Sequence, residues 1–390
     1  MKKLLCILMS LAMLLALAAC GGQSGSSAEP EKETPAASDD AAEKDTDNAE
    51  TPSDASDEKL TKVIYIGGTL GDAGIADATY EGFIRALDEL PIEGEFIELP
   101  SDPSAYKATL LDACDTDADL IFTSANNGMI DEVLAAAPDY PEKKFMVLDT
   151  GLTQEGVSEV DNFTGILCSQ NEVSYLAGYL GMKMSETGKI GIVVGVEYPT
   201  LSDFITGYIY GALAANPDAQ VAVSASGDFV DQAAAKETAL AQIRQGCDVV
   251  YAVGAASSFG TLEACKESGV WGIGCDTDLA AQFIGVDDAQ ADCIITSAYK
   301  DWGTVSYNWI KACIEDPDSV PWAGVAEYGI ADGGCKLIEN DIYNKQVPEE
   351  IRNDIKALND RIVAGEIEIP SYFEMTEDEY QALKASVTVQ

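Results

Sequence analysis

The chain has 390 residues, 47% of them hydrophobic, which is enough for two folded domains plus extra segments. Lys and Arg number 23 against 67 Asp and Glu, a formal charge of −44, which excludes binding nucleic acid through its phosphates and disfavours a strongly anionic ligand unless a local patch reverses the average. There is no histidine, so Ser-His-Asp and Cys-His catalysis, HExxH zinc sites and imidazole acid–base schemes are all removed.

Lys2 and Lys3 precede an apolar run, Leu4 to Ala19, of about signal-peptide length and too short to span a membrane comfortably. Residues 1–19 are therefore expected to be an export signal. The run ends Leu17-Ala18-Ala19-Cys20 before two glycines, which resembles a bacterial lipobox with Cys20 as the lipidated residue. Two acyl chains on that cysteine would supply a stable anchor. Up to residue 60 the chain is Ser, Ala, Glu, Asp, Pro and Thr, unable to bury enough surface to offset chain entropy, so 20–60 is expected to be an acidic tether.

From residue 61 the pattern alternates between strand and helix. Short β-rich runs at Lys62–Gly68, Glu95–Leu99, Asp119–Ser124 and Lys144–Asp149 are separated by helical patterns over 77–90, 104–114 and 127–137. Strands this apolar belong in a parallel, doubly wound sheet covered on both faces. The scheme then repeats. Lys189–Gly195 answers the first strand 127 residues on, Asp248–Gly254 answers Asp119 after 129, and Val270–Asp276 answers the strand ending in Asp149 after 127. That spacing means two similar α/β lobes rather than a solenoid. The division expected is 61–166 plus about 294–322 for one lobe and 167–293 plus about 323–390 for the other. The eight cysteines of the body include no CxxC pair, which leaves buried thiols or disulfides.

Ligands of such sheets bind beyond the carboxyl ends of the strands, and two facing lobes would enclose one hinged cleft. Asp149 and Asp276 end equivalent strands, and each either caps the next helix or accepts ligand hydroxyls. In Asp276-Thr277-Asp278 one carboxylate could cap while the other binds. Lys300, closing the strand 294–299, is either a ligand donor or a solvated charge. Gly254 opens a small-residue turn that allows close backbone approach and presents helix N–H groups, although the sequence is neither a P-loop nor GxGxxG. Phe204 and Phe229 are stacking candidates or core, and Asp72 is a cap or a ligand contact. No metal or cofactor is expected.

The segments Glu172–Tyr179, Thr187–Gly191, Phe204–Ala212, Gly227–Asp231, Gln245–Val250, Gly274–Asp278, Thr296–Lys300 and Gly365–Pro370 resemble, in order, the basic membrane protein family of nucleoside receptors for ABC importers. The resemblance covers about 61–370. It implies a class I periplasmic-binding-protein fold, that is, two Rossmann-like lobes with a hinge. It also implies capture of a nucleoside for a permease and its ATPase by a lipoprotein at the outer face of the cytoplasmic membrane. A monomer is expected, since a hinged receptor must present both lobes to a transporter. Ribose-binding positions carry over onto Asp149, Asp276 and Lys300, the glycine turn onto Gly254, and a base-stacking aromatic onto Phe204. The first lobe departs from the family pattern. Ile66 stands where relatives usually carry Asp, and Gly74-Ile75-Ala76 stands where they carry Ser-Phe-Asn, so the base-facing set is rebuilt and more apolar. The alternatives are a receptor for another small sugar-like solute on the same fold, a nucleoside-processing enzyme, or a sensor lipoprotein.

Overall fold

The computed structural model describes residues 60–71, 74–100, 102–125 and 128–390, so the expected signal, Cys20 and nearly all of the acidic tether lie outside the described residues. The first lobe opens with β1 (Lys62–Gly67), α1 (Ile75–Glu89), β2 (Glu93–Glu98), α2 (Tyr106–Cys114), β3 (Leu120–Ser124), α3 (Ile130–Ala136), β4 (Lys144–Leu148) and β5 (Phe163–Cys168). The second runs α4 (Gln170–Met184), β6 (Lys189–Val194), α5 (Pro199–Ala215), β7 (Gln220–Ala225), α6 (Gln232–Arg244) and β8 (Val249–Val253). It continues α7 (Ser258–Ser268), β9 (Trp271–Asp276), α8 (Asp288–Cys293) and β10 (Ile294–Lys300). The chain then adds α9 (Trp302–Glu315), β11 (Gly324–Tyr328), β12 (Cys335–Leu337), α10 (Asp341–Gln346), α11 (Glu349–Val363) and α12 (Glu377–Ser386).

Each lobe holds a six-stranded sheet, ordered β11-β5-β4-β3-β1-β2 and β12-β10-β9-β8-β6-β7. With β11 and β12 set aside, the remaining five strands of both sheets follow one order, so the repeat read at offsets of 127 and 129 is a repeat of topology. In each sheet the order reverses beside the first strand, β1 or β6, which opens a crevice at its carboxyl end. Burial explains the sequence pattern. Val63, Ile64, Tyr65 and Ile66 of central β1 are at most 1% exposed, whereas edge strand β2 carries Glu93, Glu95 and Glu98 outward.

The strand assignments move the expected lobe boundary. β10 pairs in parallel with β9 and stays in the second sheet, although residues 294–300 were expected in the first lobe. β11 pairs in parallel with β5 and joins the first sheet, although residues from 323 onward were expected in the second. The second lobe needs β10 as its fifth strand, so the chain crosses only after Lys300. It lays α9 against α1, where Gly82 and Gly303 meet, and crosses back between β11 and β12. The helix expected at 104–114 starts at Tyr106 because Pro103 opens a 3-10 turn whose N-cap, Asp102, accepts from the Ser104 amide. All eight body cysteines are free thiols, seven of them buried.

Backbone contact fixes the second lobe's main helix pair. A Cβ on Gly178 of α4 would lie 2.1 Å from the Tyr208 carbonyl oxygen, and one on Gly211 of α5 would lie 2.0 Å from that of Tyr175. Only glycine allows α4 and α5 to approach so closely. The chain leading into α12 is tied to this pair: the Asn171 side chain donates to the Ile369 carbonyl, and Ser371 and the Tyr372 amide donate to buried Asp203.

Candidate functional site

Strand ends from both lobes converge on a cavity of about 310 Å³. Asp149 follows β4 and Asp276 ends β9, at matching places in the two sheets. Both adopt left-handed backbone, with φ of 62° and 63°. That conformation is uncommon outside glycine, and Asp tolerates it better than most residues. Its recurrence 127 residues apart turns both carboxylates the same way at the end of a buried strand.

Between them lies Lys300, the last residue of β10. Its Nζ donates to Asp149 Oδ1 at 3.1 Å and stands 3.6 Å from Asp276 Oδ1. The lysine is 4% exposed and Asp149 7%, so this pair lies away from bulk water and joins the lobes, whereas the Asp276 side chain is about a quarter exposed. Burial works against the ammonium, yet Asp149 and then Asp276 outweigh it and hold the lysine well above its ordinary value. Lys300 Nζ also lies 5.1 Å from the ring centres of Phe204 and of Trp302. Two carboxylates and one ammonium give this centre a formal charge of about −1, suited to accepting hydroxyl protons and hostile to an added anion.

Six of the seven residues singled out from the sequence border this cavity: Asp149, Phe204, Phe229, Gly254, Asp276 and Lys300. Asp72 lies outside the described residues. The surface-charge reading of Lys300 fails because the residue is buried. The cap reading of Asp149 fails as well, since the next helical turn, Val157–Glu159, is preceded by Gly156. In the Asp276–Asp278 pair the roles divide. Asp278 accepts from the Asn340 side chain at 3.1 and 3.2 Å and from the Ala281 amide at 3.3 Å, and Asp276 faces the cavity.

Gly254 offers room rather than a donor. Its amide already donates to Ser258 Oγ, and the Ser257 amide to the carbonyls of Phe229 and Gly254. A Cβ there would lie 2.4 Å from Ser257 Oγ. Phe229 crosses the end of β6 at Gly195, where a Cβ would lie 2.4 Å from its ring.

Tyr198 was missed. It precedes Pro199 at the start of α5, borders the cavity, and packs edge-on against Phe229 with ring centres 6.3 Å apart. Burial raises its hydroxyl far above the ordinary tyrosine value. Asp149 and Asp276 add to that and Lys300 opposes it, so the hydroxyl stays a neutral donor near all three charges. Its place in the loop after a first strand was the available signal. On the first-lobe side the wall is Gly68, Thr69, Gly74, Ile75 and Ala76, small and largely apolar as residues 74–76 suggested.

The family described as Bmp, ABC transporter substrate-binding protein PnrA-like, matches residues 59–368. The chain is 27% identical over 311 residues to basic membrane protein A2 of Borrelia garinii, covering 79% of this chain and 87% of that protein. It is 28% identical over 251 residues to the ABC transporter nucleoside-binding protein BmpA of Lactococcus lactis, covering 62% and 68%. Among solved structures, an ABC transporter solute-binding protein of Aeropyrum pernix superposes with a TM-score of 0.68 at 24% identity, covering 84% of this chain and 98% of that one.

Proposed function

The chain belongs to the Bmp family of PnrA-like ABC transporter substrate-binding proteins, and from that premise we propose that it captures a ribose-containing, nucleoside-like solute and delivers it to an ABC importer. The observation that carries this reading is Lys300 held between Asp149 and Asp276, one carboxylate from each lobe, in a single cavity. A carboxylate accepts two vicinal hydroxyls at once, and the ammonium donates to a ring or hydroxyl oxygen. A ribose would take these groups from both lobes and so favour the closed form of the hinge. Phe229 and Tyr198 offer ring faces to a base, whereas Phe204, 2% exposed, packs in the core against Tyr251 beneath Lys300. The Lactococcus relative is named for nucleoside binding, which supports the same solute class.

In this reading Cys20 carries the lipid and residues 21–60 form the tether, so the receptor works as a monomer at the outer face of the cytoplasmic membrane. No helix among the described residues is long and apolar enough to cross a membrane. The cavity holds its solute without transforming it.

A thermal-shift screen of residues 61–390 against nucleosides, free bases, ribose and other sugars tests the proposal. A ligand at one hundred times its Kd adds about 2.7 kcal/mol of stability. Stabilisation by a nucleoside, without the same effect from its base or from ribose, is the expected result, with the ligand recovered unchanged. The apolar wall at Gly74-Ile75-Ala76 favours one second reading, a small sugar-like solute with no base. Stabilisation by a free sugar and by no nucleoside would establish it. Ile75→Phe with Ala76→Asn is expected to raise purine-nucleoside affinity, and no gain would count against a rebuilt base pocket.

A further inference from the structure

The strand crossings that join the lobes bring two thiols together. Cys168 ends β5 in the first sheet and pairs with Tyr328, the last residue of β11. Cys335 opens β12 in the second sheet and pairs with Lys300, the last residue of β10. Residues 329–334, which lead from Tyr328 to Cys335, double back sharply. The Gly334 amide donates to the Gly329 carbonyl at 2.9 Å, and Glu172 of α4 accepts from the Ile330 amide at 2.7 Å. One carbonyl then meets both cysteine segments: that of Tyr328 accepts from the Ser169 amide at 2.9 Å and from the Cys335 thiol at 3.7 Å. The Cys168 and Cys335 thiols lie within hydrogen-bonding reach of each other.

Burial alone does not account for this pair. A buried cysteine usually serves as a small hydrophobe, and both of these are at most 1% exposed. They belong to different sheets, however, and each stands at the end of a strand where the chain crosses. β5 leads into the crossing at Ser169, and β12 follows the crossing at 329–334. A disulfide requires the sulfurs to close to about 2 Å. Gly333, with φ of 75°, and Gly334 precede Cys335 and give its backbone the freedom to supply that approach. Burial, and next the Cys168 thiol, lifts the Cys335 thiol well above its ordinary value. The folded pair therefore exchanges slowly, and the time for it to react is while the crossings assemble.

We propose that Cys168 and Cys335 form a disulfide that staples the first lobe to the second at the hinge. The oxidant is a small-molecule disulfide. One cysteine thiolate attacks it, forms a mixed disulfide and releases one thiol. The other cysteine then attacks the mixed disulfide and releases the second thiol. The cysteine pair loses two protons and two electrons, and the oxidant is reduced to two thiols. The bond encloses residues 169–334, which include β6 to β10, so it constrains the unfolded chain strongly. It lies at the crossings about which the lobes turn, and so leaves closure possible. Exposure to such an oxidant rests on the export proposed above. The pairing itself does not, and it is tested apart from location.

Residues 61–390, which hold both sheets complete, are unfolded in urea with dithiothreitol. They are then refolded either in dithiothreitol or in a mixture of reduced and oxidised glutathione. Thiols are counted in denaturant, and peptides are mapped by mass spectrometry. All eight body cysteines should titrate after reducing refolding, and two fewer after refolding in glutathione. The missing two should appear as one linked peptide pair holding Cys168 and Cys335. The linked form should melt about 5 °C above the reduced form. Cys335→Ala should lose no thiol in glutathione and should melt alike from both buffers. Peptide mapping of the unaltered chain reads the link even where the variant does not fold. A full thiol count in both buffers, glutathione adducts in place of a link, or linkage of any other two cysteines would overturn the proposal. A linked form that melts no higher than the reduced one would overturn the staple.

Discussion

Lys300 shows what a single buried charge does for both stability and binding. It neutralises Asp149 across the lobes at 3.1 Å, in a place where neither side chain reaches bulk water. Lys300→Met should cost about 3–5 kcal/mol in urea unfolding, because it leaves Asp149 charged and without its counter-ion. Asp149→Asn added to Lys300→Met should recover most of that loss while ligand binding stays abolished. A double mutant as unstable as the single would show that the lysine stabilises by packing alone. Asp203 carries a separate consequence. Burial raises its carboxyl to about 6, against hydrogen bonds from Ser371, Tyr372 and Gln170 that pull it down. Its folded value exceeds its ordinary 3.8, so the native state holds the proton more tightly. The group favours folding at low pH, and that contribution is lost as the pH rises from about 4 through about 6. Asp203→Asn should flatten the pH dependence of the urea midpoint across this window. Gln170 can accommodate the change, because its side-chain oxygen has no hydrogen-bond partner and a flipped amide would accept from Asn. An unchanged slope would remove Asp203 from the titration.

At the scale of elements, the strands were legible because burial on both faces demands unbroken apolar runs. β1, β3, β4, β6, β8 and β9 begin within a residue of their expected starts. Helix starts were less legible, since they depend on caps and turns: α2 waits for the 3-10 turn at Pro103, and α3 begins only at Ile130. The α4–α5 contact left no clear mark on hydrophobic periodicity, because it is made by glycine and backbone. Gly178→Ala places a methyl 2.1 Å from a carbonyl oxygen of α5. Ordinary overpacking costs about 1–3 kcal/mol, and here the obstacle is backbone, so a loss at or above the top of that range is expected in urea unfolding. Ala177→Gly, one position along the same helix, should cost only about 1 kcal/mol through helix propensity. Equal losses would mean that close packing is not what glycine provides at 178.

For the whole molecule, three crossings between the sheets, after β5, after β10 and between β11 and β12, form the hinge. Closure around a ligand should reduce the radius of gyration in small-angle scattering. An unchanged radius with saturating ligand would mean that the lobes are already closed. The charge of −44 acts on the same scale. Self-repulsion opposes the compact state and is screened over about 10 Å at 0.1 M salt, so raising NaCl from 10 to 200 mM should raise the melting temperature. A melting temperature that falls with salt would show that attractive ion pairs dominate the surface instead.

The sequence by itself determined the two-lobe α/β class, the repeat and the strand-end residues. These follow from local burial patterns and from the rule that such sheets bind at their carboxyl ends. Asp149, Asp276 and Lys300 were visible as polar residues closing apolar strands, which is a local signal. Tertiary structure decided what they do together. A carboxylate at a strand end can cap, solvate or bind; only the approach of the first lobe brought Asp149 to Lys300 beside Asp276, and packing within the second lobe left Asp278 to Asn340. It also decided where the chain crosses. Strand pairing is non-local, so nothing in residues 294–328 states that β10 closes one sheet and β11 extends the other. Tyr198 and the cavity it borders belong to the same class of fact, because a cavity is made by the distance between lobes, and no segment of sequence records that distance.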